Sequence, residues 1–143
     1  MARLPKKLNG VIKMEIKRDK YLNMLLHRRC NGFVKVITGI RRCGKSYLLN
    51  EIFFNYLKKE GINEDHIIKF AFDSADDLAE IGEDLQELFS NKRKVNPKKF
   101  MSFISKKMRD NDTYYFLLDE VQNLDCFEMV LNGYLHKKIL IFT

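Results

Sequence analysis

The tightest constraint on this chain lies in residues 33–46, Phe-Val-Lys-Val-Ile-Thr-Gly-Ile-Arg-Arg-Cys-Gly-Lys-Ser. Phe33 to Thr38 is rich in β-branched residues and reads as a buried strand. Two glycines, Gly39 and Gly44, then bracket four residues and are followed by Lys45 and Ser46, which satisfies G-x-x-x-x-G-K-[ST] between a strand and a helix. A loop of this kind must wrap an anionic phosphate with its own N–H groups, so glycine stands where the chain turns tightly or approaches the ligand. The stretch Gly39, Ile40, Arg41, Arg42, Cys43, Gly44, Lys45, Ser46 and Tyr47 is therefore the expected phosphate cradle. Lys45 would reach the β- and γ-phosphates, the Ser46 hydroxyl would ligate Mg2+, and the helix that follows would aim its positive end at the phosphates. A nucleoside triphosphate is the natural ligand. A chance glycine-rich turn would have to reproduce four fixed positions and both flanks.

The helix after the loop is legible from its period. Leu48, Leu49, Ile52, Phe53, Tyr56 and Leu57 share one face, and Lys58-Lys59-Glu60-Gly61 reads as its stop. A second strand is expected over Ile67 to Phe72, followed by a polar loop, Asp73-Ser-Ala-Asp-Asp77, on the active face of the sheet. Helices are expected near Glu83 to Phe89 and from Pro97 to about Met108, the second with proline in its first turn. Upstream, Met14 to Arg29 has the apolar spacing of an amphipathic helix, whereas residues 1–12 show no period and are read as an arm.

The second constraining stretch is Thr113-Tyr-Tyr-Phe-Leu-Leu-Asp-Glu-Val-Gln-Asn123. A continuous apolar run ending in adjacent carboxylates is what a strand buried on both faces looks like where it surfaces beside a metal site. Asp119 would hold Mg2+ and Glu120 would accept a proton from the water that attacks the γ-phosphate. By itself the run would also suit a plain strand entering an acidic loop; the upstream loop at domain-scale distance makes the catalytic reading the stronger one. A helix from Asp125 to about Leu135 and a further buried strand from Ile139 to Thr143 complete the pattern.

Composition narrows the field. At 143 residues the chain is one domain in size, and it contains no apolar run long enough to cross a membrane. The start carries charge without an apolar h-region, so the expected location is cytoplasmic and no membrane partner is expected. Cys30, Cys43 and Cys126 match neither a disulfide framework nor a metal-binding spacing and read as free thiols. The net charge is +7, and the richest basic run is Asn91 to Lys99, continued by Lys106, Lys107 and Arg109. That run would fit DNA or RNA weakly, but Phe100, Phe103 and Ile104 sit at helical spacing, which suggests core rather than base stacking.

Together, Gly39-Ile-Arg-Arg-Cys-Gly-Lys-Ser46 and Leu117-Leu-Asp-Glu-Val-Gln122 make the chain resemble the prokaryotic AAA-type P-loop ATPases. Those proteins carry G-I-R-R-x-G-K-[ST] as Walker A and D-E-[IV]-Q as Walker B, and the resemblance covers about residues 15–143. It implies a three-layer α/β fold with a mostly parallel sheet, an arm over 1–13 and an ATPase domain over 14–143. It also implies ATP with Mg2+ as cofactors and ATP hydrolysis as the chemistry. Members of the family have sheet order 5-1-4-3-2 with a sensor residue, lid and further domain beyond the fourth strand. By that measure the domain is incomplete at the C-terminus, presents 1-4-3-2, and lacks sensor, lid and arginine finger. The alternative is a nucleotide-dependent interaction or DNA-binding module with little turnover. The same sheet order leaves Phe33–Thr38 as an edge strand, so self-association is expected unless the arm or first helix covers it.

Overall fold

The computed structural model describes residues 6–8, 11–13, 35–36, 44–134 and 138–142, with side chains for 46–134. The helix expected over Met14 to Arg29 and the loop residues Gly39, Ile40, Arg41, Arg42 and Cys43 lie outside the described residues. The arm contains an antiparallel pair that its sequence did not announce, β1 (Lys6–Leu8) against β2 (Val11–Lys13), in register Lys6↔Lys13.

The main sheet has four strands: β3 (Lys35–Val36), β4 (Ile67–Ala71), β5 (Tyr114–Asp119) and β6 (Lys138–Phe142). Their spatial order is β3-β6-β5-β4, and every pairing is parallel. In chain order this is 1-4-3-2, the order that the family resemblance implies. Parallel strands require crossover connections, and the helices between them supply these.

β5 shows why the sheet is covered on both sides. All six of its residues are buried. Tyr114, Phe116 and Leu118 enter one apolar cluster, whereas Tyr115 and Leu117 enter a second, as the two-residue period of a strand dictates. The second cluster is closed by a helix of three successive stretches, Lys45–Tyr47, Leu48–Phe53 and Phe54–Lys59, together α1. Leu48, Leu49, Phe53 and Leu57 are its buried face. Its middle stretch is wound as a π-helix, a local loosening often found at functional sites and invisible in a 3.6-residue period.

The stop at Gly61 is the expected one. Gly61 has φ +83, its N–H donates to the Lys58 carbonyl at 3.1 Å, and the Ile62 N–H donates to the Leu57 carbonyl at 3.1 Å. This is a Schellman closure, and Ile62 packs on the cluster that contains Leu57.

The first cluster is closed by α2 (Ala75–Glu80), α3 (Leu85–Ser90), α4 (Pro97–Lys107) and α5 (Phe127–Asn132). Phe70, Phe72, Phe100 and Phe103 pack ring against ring with centroids 4.7–6.4 Å apart. Phe100 and Phe103 are therefore core, as their spacing suggested. The polar stretch Asp73–Asp77 needs correction: it is not simply a loop. Ser74 caps α2 by accepting from the Asp77 N–H, so Asp76 and Asp77 lie in the first helical turn, where carboxylates suit the helix dipole. Asp77 also accepts the Ala71 N–H at 2.8 Å, tying that turn to the end of β4.

One buried charge organises the connection into α4. Glu83 follows the Schellman stop at Gly82, and its side chain is fully buried. It accepts from the Asn96 N–H at 2.7 Å and from Arg93 at 2.7 Å, with Lys99 at 3.4 Å. Burial works to raise its pKa, but the Asn96 N–H and the two cations outweigh it, so the carboxyl is held below the ordinary glutamate value. Arg93 and Lys99 thus spend charge on Glu83, and Lys107 lies 3.5 Å from Glu80. The basic run is less available to an anionic partner than its composition implies.

Candidate functional site

The site lies where α1 begins and β5 ends. Gly44 has φ +87, a left-handed backbone that glycine adopts without penalty, and its carbonyl accepts the Leu48 N–H at 3.0 Å. The loop therefore turns at Gly44 and enters the helix with Lys45. Within that first turn, Ser46 and Tyr47 are both exposed.

At the far end of β5, Asp119 is buried and in register with Ala71 of β4. Its carbonyl accepts the Phe72 N–H at 3.0 Å, which fixes the strand end. Across 73 positions of sequence, the Ser46 hydroxyl donates to the Asp119 carboxylate. Fold topology produces this contact: helices on one face of a parallel sheet start at the carboxyl ends of its strands, which is where ligands bind in open α/β sheets. Two oxygen donors, one of them anionic, make a set suited to a hard divalent cation.

Glu120 is half-buried and has φ +55 and ψ 43, a left-handed conformation uncommon outside glycine. The chain consequently breaks out of β5 and enters a 3-10 turn, Val121–Asn123, closed by the Asn123 N–H donating to the Glu120 carbonyl at 3.0 Å. The turn is anchored on its other side. Val95 donates to the Asn123 carbonyl at 2.8 Å, Asp125 donates back to Val95 at 3.0 Å, and the Asn123 amide reaches the Phe72 carbonyl at 3.4 Å.

Among the residues singled out from sequence, Ser46 and Asp119 are in contact, and Glu120 follows Asp119 in the chain. Gly44 makes the turn and Lys45 opens the helix, while Gly39 to Cys43 lie outside the described residues. One participant was missed. Gln122 donates its amide to the Glu120 carboxylate. It stood in the motif as quoted, but no spacing rule points a side chain back two residues; the left-handed Glu120 brings the two together.

Comparison with known proteins bears on the family of the chain. A family model described as "AAA domain" matches residues 31–143. A protein of Haemophilus influenzae described as "Uncharacterized protein" is 31% identical over 122 residues, covering 85% of this chain and 27% of that relative. The chain thus spans about a quarter of that relative's length. No solved structure matches the chain significantly.

Proposed function

Because the chain belongs to the AAA-domain family of P-loop ATPases, we propose that its nucleotide is ATP carried with Mg2+ and that the site is built to hydrolyse the γ-phosphate. The observation that carries this reading is the meeting of Ser46 and Asp119, two oxygen donors from distant parts of the chain at the carboxyl end of the sheet. Ser46 and Asp119 would hold the metal. When bound, Mg2+ neutralises charge on the β- and γ-phosphate oxygens.

The rest of the chemistry falls to the chain's own groups. Lys45 and the backbone amides of residues 39–44 would stabilise the phosphate oxygens electrostatically. Glu120 takes the proton of the attacking water at its carboxylate, and the Gln122 amide orients that carboxylate. The buried floor of β5, with Leu117 and Leu118 fully enclosed, keeps the strand end rigid beneath these groups.

The rival reading is a nucleotide-dependent interaction module that binds ATP with little turnover, and one set of measurements separates the two. Phosphate release and ATP affinity are measured on the chain and on Glu120→Gln. For an ATPase, Glu120→Gln retains Mg-ATP binding while turnover falls about 100-fold or more, the range expected for loss of a general base. Tight binding without turnover in the parent chain would select the interaction module. Absence of Mg-ATP binding would overturn both.

A further inference from the structure

The end of the sheet opposite the phosphate loop holds a second group of metal-binding side chains. His66 ends the 3-10 turn Glu64–His66 just before β4, and Asp110 and Asp112 lie in the connection just before β5. The two strands are parallel, with Ile67 paired to Tyr115, so these segments emerge side by side. Five residue steps of β5 put them about 17 Å from Asp119.

The Nε2 atom of His66 lies 2.9 Å from Oδ2 of Asp110 and 3.9 Å from Oδ2 of Asp112, and the three ligand atoms are within 4.8 Å of one another. We propose that His66, Asp110 and Asp112 form a binding site for a first-row divalent cation such as Zn2+, separate from the nucleotide site. Zinc bonds to imidazole nitrogen and carboxylate oxygen are each about 2.0–2.2 Å, so tetrahedral ligands of one ion sit about 3.4 Å apart. The two separations from His66, 2.9 and 3.9 Å, bracket that value. The donor set of one imidazole and two carboxylates suits zinc, cobalt or manganese, and its two negative charges balance the ion.

The surroundings hold the ligands ready. The His66 ring packs on Tyr114 with centroids 4.7 Å apart, which fixes its plane. The Asp112 N–H donates to Oδ1 of Asp110 at 3.0 Å, closing the turn that brings both carboxylates to one side. A bound ion would fasten the start of β4 to the start of β5, at the opposite end from the catalytic groups.

The test is calorimetric titration of Zn2+ into the nucleotide-free chain and three variants, His66→Ala, Asp112→Asn and a Cys30→Ser/Cys43→Ser/Cys126→Ser triple. The expected result is one saturable site in the parent chain, weakened about tenfold or more in His66→Ala and Asp112→Asn and retained in the cysteine triple. Asp112 is highly exposed, so its variant keeps the test valid even if His66→Ala folds poorly. Mg-ATP affinity should be the same in Asp112→Asn as in the parent. No saturable Zn2+ binding, equal binding in all variants, or loss confined to the cysteine triple would overturn the proposal.

Discussion

Replacing Glu83 isolates the contribution of one buried charge. Its side chain is fully enclosed, whereas Arg93 and Lys99 are 33% and 39% exposed. In Glu83→Gln the amide oxygen can still accept the Asn96 N–H, but the charge-assisted bond to Arg93 at 2.7 Å is lost. Such a bond is worth about 1.5–3 kcal/mol, and because both cations can rehydrate, the lower part of the range applies, about 2 kcal/mol. Glu83→Ala additionally orphans the Asn96 N–H at the cap of α4 and should cost about 3–4 kcal/mol. At about 4 °C per kcal/mol for a domain of this size, Glu83→Gln should lower Tm by about 8 °C. The pH dependence gives a second check. A carboxyl whose pKa is lowered on folding adds stability above its unfolded value, near 4.3, and loses it as pH falls through the folded value. The gap between parent and Glu83→Gln in urea unfolding should be complete at pH 7 and shrink below about pH 4. A gap under about 0.5 kcal/mol at pH 7, or one unchanged down to pH 3, would refute the assignment of this charge as stabilising.

Other outcomes follow from the same geometry. Lys45→Ala should weaken Mg-ATP binding about tenfold or more, since a desolvated charged hydrogen bond is worth about 1.5–3 kcal/mol, and calorimetric titration reads it directly. Lys92 holds a left-handed backbone with φ +50, just where Arg93 donates to the Leu88 carbonyl in a helix-ending closure; Lys92→Gly should therefore raise stability by about 0.5–1 kcal/mol in urea unfolding. In the described sheet β3 pairs on one side only, with β6, and Lys35 is the single charge on Lys35–Val36. The chain should therefore self-associate in light scattering after size-exclusion chromatography, and a monomer at high micromolar concentration with protected β3 amides would show that the edge is covered.

Much of the scaffold was written in local patterns. The apolar spacing from Leu48 to Leu57 encodes a helix buried on one face, and the unbroken run Tyr114 to Leu118 encodes a strand buried on both, because side-chain period follows directly from backbone geometry. The Gly61 stop and the proline at the start of α4 were legible for the same reason: their signals are confined to a few neighbouring residues. Misreadings occurred where two local signals competed. Asp73–Asp77 looked like a loop because serine and aspartate favour turns, yet the same residues are strong helix starters once a helix follows.

What the sequence alone determined, then, is which face of each element is apolar, and it nominated the residues proposed for phosphate and metal, since both readings depend on spacing within one segment. Tertiary structure decided what meets across the chain. The Ser46–Asp119 contact depends on β5 lying in the same sheet as the phosphate-loop strand, with β6 between them. The approach of His66 to Asp110 and Asp112 depends on the parallel register of β4 and β5, and the Gln122–Glu120 contact on one left-handed residue. Such contacts join groups by closing long loops whose entropy cost is offset only by the assembled core, so no local period encodes them.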